Sequence, residues 1–401
     1  MHCVQSITPD ILFLGASDRR QALFENVFPI PRGISYNSYL VKDEKTVLLD
    51  TADQAVGTRF LENLAYGLQE RSLDYVVVNH MEPDHAATLL EVLNTYPQSQ
   101  VVGNAKTIAM IGQFFDCDIS GRTVTVKEGD TLNTGRHTFT FLMAPMVHWP
   151  EVMVTYDAAD KVLFSADAFG TFGALSGNIF ADEVNFERDW LDDARRYYAN
   201  IVGKYGVQVQ TLLKKAAGLD IACLCPLHGP VWRENIGWFV EKYQTWSTYA
   251  PENKTAAIFC GSVYGHTENA AEIVANRLAE KGVKGIRLYD VSHTDVSELV
   301  SEAFRCSHLV LASATYNGGI FTPMENFLLD LKSHNFQNRT VAVIDNGTWA
   351  ATAGKQMREI VGAMKNMTVL ENSVSLKSSV KETQRAELET LADTLAADIL
   401  A

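Results

Sequence analysis

The segment Asn79-His80-Met81-Glu82-Pro83-Asp84-His85-Ala86 constrains this chain more than any other. It follows an apolar run, Tyr75-Val76-Val77-Val78, and precedes a helical pattern marked by Leu89, Leu90 and Leu93. It therefore reads as a strand-to-helix loop carrying four metal-ligating side chains. Pro83 restricts Glu82 to extended backbone, so His80 and Glu82 point the same way while Asp84 and His85 reach a second position. One short loop can thus serve two metals. The competing reading is a polar loop whose Asp caps the next helix. Against it stand further ligand types where other apolar runs end, at Val147-His148-Trp149, Ser165-Ala166-Asp167-Ala168-Phe169 and Pro226-Leu227-His228-Gly229-Pro230. A lone His is usually structural; convergence at several strand ends is not.

At 401 residues the chain exceeds what one core usually supports, which predicts two domains. The net charge of -14 argues against nucleic acid as a partner, since that affinity rests on Lys and Arg meeting phosphates. No run approaches the roughly 18 apolar residues of a membrane span, and Met1-His2-Cys3-Val4-Gln5 lacks the order of a secretion signal; the expected location is the cytoplasm. Six scattered cysteines form no C-x-x-C pair. Cys223-Leu224-Cys225 fits a buried strand in which Cys acts as a small hydrophobe.

The rhythm changes at Ala250-Pro251-Glu252-Asn253-Lys254, a polar, Pro-marked break that divides the chain into residues 1–250 and 251–401. The second part alternates strand-like runs (Ala256 to Cys260, Ile286 to Val291, His308 to Ala312, Val341 to Asp345) with helical patterns. That is the signature of an α/β fold with a doubly wound parallel sheet. The first part shows many short strands with turn signals, which predicts layered sheets.

Gly261-Ser262-Val263-Tyr264-Gly265-His266-Thr267-Glu268 joins the first strand of the second part to its first helix, where backbone N–H groups, the helix dipole and the hydroxyls of Ser262 and Thr267 would cradle a phosphate. No Walker lysine follows and G-x-G-x-x-G is absent, so neither ATP nor a dinucleotide is favoured. The pattern resembles the flavodoxin loop for the FMN phosphate, with Tyr264 where Thr is common. Two later strand ends, Ser313-Ala314-Thr315-Tyr316-Asn317-Gly318-Gly319 and Asp345-Asn346-Gly347-Thr348-Trp349, pair backbone donors with a large aromatic. Tyr316 and Trp349 suit stacking on an isoalloxazine ring. Ordinary packing is the reading for a single loop aromatic, but not for three such loops at successive strand ends.

In order and setting these residues resemble the flavodiiron proteins, in which a metallo-β-lactamase-like αββα sandwich precedes a flavodoxin-like domain. Hydrolytic zinc relatives of that superfold usually read H-x-H-x-D-H. Here Glu82 replaces the second His, and a carboxylate for an imidazole makes the site harder and better suited to iron. The resemblance implies that His80, Glu82 and His148 hold one iron, that Asp84, His85 and His228 hold the other, and that Asp167 bridges them. His85 is a side chain that similar proteins can leave off the metal.

The resemblance further implies FMN in the three loops and reduction of dioxygen to water or nitric oxide to nitrous oxide, without deciding between the gases. It also implies a head-to-tail homodimer or a dimer of such dimers. Because the chain ends after the helical pattern Ala386 to Leu400 without an appended C-x-x-C module, an external donor, rubredoxin or a reduced deazaflavin, is expected. Tyr197 or Tyr198 is a candidate hydrogen-bond donor to an iron ligand, beside the plainer reading of helix packing; Trp149 lines or shields the pocket. Two other classes compete: a two-zinc hydrolase fused to a flavodoxin module, from which Glu82 separates this chain, and a non-catalytic carrier or gas sensor, which only turnover excludes.

Overall fold

The computed structural model describes residues 2–401 and groups them into two compact units. The first runs to Tyr198 and resumes over Val207–Tyr243; the second comprises Ala199–Gly206 and Gln244–Ala401. The Pro-marked break at 250/251 lies inside the latter stretch. The reason is Tyr249, whose carbonyl accepts from Arg339 and whose hydroxyl donates to the Gly203 carbonyl at 2.8 Å.

Two sheets with flanking helices make the first unit. One has seven strands in the order Gln5–Ser6, Ile11–Phe13, Tyr39–Val41, Val47–Leu49, Tyr75–Val77, Gln100–Gly103, Thr123–Thr125. The other has five: Thr131–Asn133, Thr138–Met143, Met153–Asp157, Val162–Phe164, Cys223–Cys225. Every residue of Tyr39–Val41, Val47–Leu49, Val162–Phe164 and Cys223–Cys225 is buried. Strands covered on both faces need no polar alternation, which is why these segments read as continuous apolar runs. Tyr39 and Phe164 join the two sheets with ring centroids 5.3 Å apart.

The second unit is a parallel sheet in the order Arg287–Asp290, Asn253–Gly261, Cys306–Tyr316, Thr340–Asn346, Thr368–Leu376. Ala256, Ile258 and Cys260 face helices His266–Glu280 and Glu382–Leu400. Phe259 turns to the opposite face, its ring 4.5 Å from that of Phe327 in helix Thr322–Ser333. Helices thus cover both faces, as the strand–helix alternation predicts. The sequence patterns do not announce Thr368–Leu376. It is an edge strand, largely exposed along Leu370 to Ser373, with only Val374 and Leu376 buried. Arg339 is buried without an ion pair among the described residues, and its guanidinium donates to the carbonyls of Tyr249, Ala303, Phe304, Gln337 and Asn338. Burial alone lowers it to about 9. Among the described residues no helix is long and apolar enough to cross a membrane.

Candidate metal centre and flavin loops

The loop after Tyr75–Val77 is held before it reaches its first ligand-type residue. Asp50, just past the neighbouring strand and at φ 55°, accepts hydrogen bonds from the Asn79 backbone (2.7 Å), the Asn79 amide (2.8 Å) and the His80 backbone (3.1 Å). Thr155 of the second sheet donates to the Asn79 side chain at 2.7 Å. Pro83 opens a single helical turn, Pro83–Ala86, and Glu82 precedes it in extended geometry (φ -58°, ψ 138°). Asp84 therefore lies within the turn, and among the described residues its carboxylate accepts no backbone N–H as a helix cap would.

All seven expected ligands converge, in two groups: His80, Glu82, His148 and Asp167, and Asp84, His85 and His228. Asp167 spans both. Its Oδ2 lies 3.3 Å from His80 Nε2 and 3.1 Å from His148 Nε2, and its Oδ1 lies 3.2 Å from His85 Nε2 and 3.8 Å from His228 Nε2. Glu82 is 2.9 Å from His148 Nε2 and 3.2 Å from His80 Nε2; Asp84 is 3.2 Å from both His85 and His228. Imidazole tautomers are set from behind. His80 Nδ1 donates to Glu151 at 2.8 Å and His228 Nδ1 to the Ser35 carbonyl at 2.7 Å, which turns each Nε2 lone pair inward. Gly229 is required just after His228: at φ +77°, a Cβ there would stand 2.1 Å from Thr171 Cγ2.

Such a set of inward lone pairs demands cations. His85 Nε2 and His228 Nε2 face each other at 3.0 Å, a contact that two acceptors cannot sustain. Burial opposes charge on Glu82, Asp84, Asp167, His80, His85 and His148, yet their mutual attraction outweighs it. Glu82, Asp84 and Asp167 lie below the usual carboxylate range, His148 and His85 rise to about 9 and about 10, and His80 rises well above its ordinary value. Protons or metal ions satisfy this arrangement equally in sign; four imidazoles and three carboxylates with no thiolate fit two hard or borderline divalent ions.

The two candidate tyrosines face different surroundings. Tyr197 is fully buried, its ring 5.4 Å from that of His228 and its hydroxyl without a partner. Burial first, then the charges of Asp167 and Asp84, push that hydroxyl well above its ordinary value. Tyr198 packs edge-on against Tyr243 at 5.0 Å. Trp149 meets the edges of His80 at 5.5 Å and His148 at 6.4 Å. Sequence reading passed over three participants. Glu151, a carboxylate three residues past His148, was legible as a neighbour of a ligand segment. Phe24, its ring 5.4 Å from His228, and Glu25, whose carboxyl is raised to about 8 by burial and then by Glu82, sit on the hairpin Leu23–Phe24/Phe28–Pro29 and carry no sequence signal.

In the second unit the three loops follow the ends of the adjacent strands Asn253–Gly261, Cys306–Tyr316 and Thr340–Asn346. Gly265 takes the left-handed conformation (φ +84°) directly before helix His266–Glu280, and its N–H donates to the Ser262 hydroxyl at 3.0 Å. Trp349 is 94% exposed, Tyr264 88% and Tyr316 48%. Three large rings left in water around one phosphate-type loop fit a flat aromatic ligand. Other loop side chains already have partners. Thr315 accepts from the backbone of Thr352 and Ala353, Asn346 bonds to Ser378 and to Thr267, and Thr348 lies 3.0 Å from the Ser378 hydroxyl. Val263 is exposed, and Asn317 (φ 51°) and Gly318 (φ 75°) make the left-handed turn before Gly319. Ala314 aligns with Asn346 between the parallel strands, and His266, Gly347 and Thr267 flank the loop mouths.

Comparison with known proteins places this geometry. The ODP family beta lactamase model matches residues 34–229. The anaerobic nitric oxide reductase flavorubredoxin of Escherichia coli is 31% identical over 326 residues, 80% of this chain and 67% of that one. An uncharacterised protein of Methanocaldococcus jannaschii is 30% identical over 88% of each chain. Rubredoxin oxygen:oxidoreductase from Desulfovibrio gigas superposes with a TM-score of 0.92 at 28% identity over 99% of both chains. The chain belongs to the flavodiiron protein family. A flavo di-iron protein variant from Thermotoga maritima, at 25% identity and a TM-score of 0.90, covers 100% of this flavodiiron chain and 99% of its own. The architecture is accordingly a metallo-β-lactamase-like αββα sandwich with a flavodoxin-like parallel sheet.

Proposed function

We propose that this flavodiiron protein reduces dioxygen to water or nitric oxide to nitrous oxide, at two irons held by the seven converging residues of the first unit and fed by FMN in the loops of the second. The observation that carries the reading is Asp167, whose two oxygens each address a different ligand group. Iron and FMN supply the redox chemistry when bound: two electrons from each cofactor match the four that dioxygen takes, and two suffice for a pair of nitric oxide molecules. His80, Glu82 and His148 would hold one ion, Asp84, His85 and His228 the other. Glu151 and the Ser35 carbonyl keep His80 and His228 in the tautomer that presents Nε2. The buried, unpartnered Tyr197 hydroxyl offers a hydrogen-bond donor beside His228. Trp149 and Phe24 exclude water from the imidazole edges.

The remaining parts of the proposal are an external donor, rubredoxin or a reduced deazaflavin, a head-to-tail homodimer or dimer of dimers, and a cytoplasmic setting. The two-zinc hydrolase reading would need an imidazole where Glu82 stands. Metal and flavin analysis, anaerobic reduction and separate addition of each gas test the function. Two irons and one FMN per chain with turnover are expected; zinc occupancy with full activity overturns it, and redox cycling without turnover favours a carrier or sensor. For assembly, an Asp167→Ala chain mixed with a Ser262→Ala/Thr267→Ala chain should regain roughly half of wild-type dimer activity by site counting.

A further inference from the structure

A cavity of about 240 Å³ lies between the first strands of the first unit and helix Gly57–Leu68, and none of its lining residues is a metal-facing side chain or part of a flavin loop. Its polar wall is already committed. Asn63, 2% exposed, accepts from the Cys3 backbone and donates to the carbonyls of Leu14 and Gly15; Gln5 donates to the Gly177 carbonyl; Ser17 accepts from the Leu175 backbone. What remains are two guanidiniums. Arg19 is anchored by one bond to the Leu175 carbonyl, and among the described residues Arg59 has no hydrogen-bond or ion-pair partner. Among the described residues neither arginine makes an ion pair, in a chain that carries 48 Asp and Glu against 34 Lys and Arg.

Two exposed arginines that line one cavity without an ion pair raise the local potential for anions. Guanidinium is the group whose planar fork of donors matches carboxylate and phosphate oxygens. The lining also includes the apolar side chains of Phe13, Leu175 and Ile179. At about 30 Å³ per water the space holds about eight waters, which is small for a nucleotide and suited to a ligand with a short carbon skeleton.

We propose that this cavity binds a compact metabolite dianion, its charged group held by Arg19 and Arg59 and its carbon skeleton laid on Phe13, Leu175 and Ile179. Phosphate and carboxylate share the chemistry, and the experiment separates them. Calorimetric titration of the iron- and FMN-loaded protein at fixed ionic strength uses glycerol 3-phosphate, succinate and inorganic phosphate as probes; bound FMN keeps phosphate from its loop. Saturable binding of glycerol 3-phosphate or succinate is expected, tighter than for inorganic phosphate, and whichever of the two binds more tightly identifies the anionic group. Arg59→Gln, on an exposed helix position, should weaken it about tenfold or more and Arg59→Lys should restore part of that loss.

Cys3 gives an independent readout, being exposed and lining the same cavity while Cys223, Cys225, Cys260 and Cys306 are buried. In a Cys117→Ser background, Cys3 should favour anionic iodoacetate over neutral iodoacetamide relative to free cysteine. Arg59→Gln should erase that preference, and the bound probe should slow both reagents. No saturable heat with any probe, together with a reagent preference unchanged by Arg59→Gln, overturns the site. Inorganic phosphate binding as tightly as the two organic dianions overturns the role given to the apolar wall.

Discussion

The metal centre and the flavin loops lie at strand ends of two units built on opposite terms. Around the first, His80, His85 and His228 are at most 1% exposed and none of the seven side chains exceeds 8%. Around the second, Tyr264 and Trp349 stand almost wholly in water. Side chains that must present several lone pairs to one point have to be fixed beforehand, because each inward lone pair is costly without its cation. A flat ring held by backbone N–H groups and stacking needs only loops of the right shape, and the ligand itself supplies the missing surface. The comparison predicts that damage at the metal centre is severe and local, whereas damage at the flavin loops is graded.

The largest effect belongs to Asp167→Ala. Losing the carboxylate that addresses both groups leaves two like-charged ions less neutralised, and iron content should fall below one per chain with gas reduction reduced by more than about a hundredfold. FMN content, read from its absorbance after desalting, should be unchanged; its loss would break the separation between the two sites. Next comes Glu151→Gln, which leaves every ligand in place and weakens the anchor of His80 Nδ1. Iron affinity, measured by competition with a chelator, should drop by about 10- to 100-fold. Trp349→Ala should be milder, weakening FMN about tenfold in fluorescence titration, on the order of the stacking energy of one ring. An undiminished affinity would show that this ring does not cover the flavin.

A pH effect sharpens the contrast. With His80, His85 and His148 raised above neutrality and Glu25 raised to about 8 in the absence of cations, loading chelated protein with ferrous iron at pH 7 should release about three to four protons, and far fewer should accompany FMN binding. Protons compete with the metal, so iron affinity should fall as pH falls, and calorimetry in buffers of different ionisation enthalpy counts the protons. The smallest effect is on stability. Burial opposes charge on His137, but its bond to Asp157 at 2.9 Å and the charges of Asp157 and Asp160 raise it. A raised histidine stabilises below its unfolded value near 6.5, and the gain is lost as pH rises through the higher folded value. His137→Gln should remove that slope from melting temperatures and cost about 1 kcal/mol at pH 6.

Legibility in the sequence followed the same division. Residues that must sit beside a strand end to do their chemistry, such as His80, Glu82 and His228, declared themselves because apolar runs of fully buried strands point straight at them. The strands around the flavin loops were legible for the same reason. Thr368–Leu376 was not, since an edge strand buries too little to print a pattern. Glu25 and Phe24 reach the centre from a hairpin whose short strands pair only Leu23 with Pro29 and Phe24 with Phe28, and long-range approach of that kind leaves no periodicity behind. Asp50 acts through a left-handed backbone that no residue preference announces, Asp being only a tolerated occupant there.

The brace around Tyr249 has a consequence for the order of synthesis. Residues 199–206 belong to the second unit yet are made before the first unit is finished. Their partners arrive late: the Tyr249 hydroxyl meets the Gly203 carbonyl, His334 Nε2 the Asn200 carbonyl and the Asn335 amide the Lys204 carbonyl. His334 is about 130 residues downstream, on the order of ten seconds at a synthesis rate of about 5–20 residues per second. During that interval the Asn200 and Lys204 carbonyls lack these partners. A nascent chain stalled before His334 should therefore remain open to protease at residues 199–206, and one stalled after the parallel sheet is complete should not.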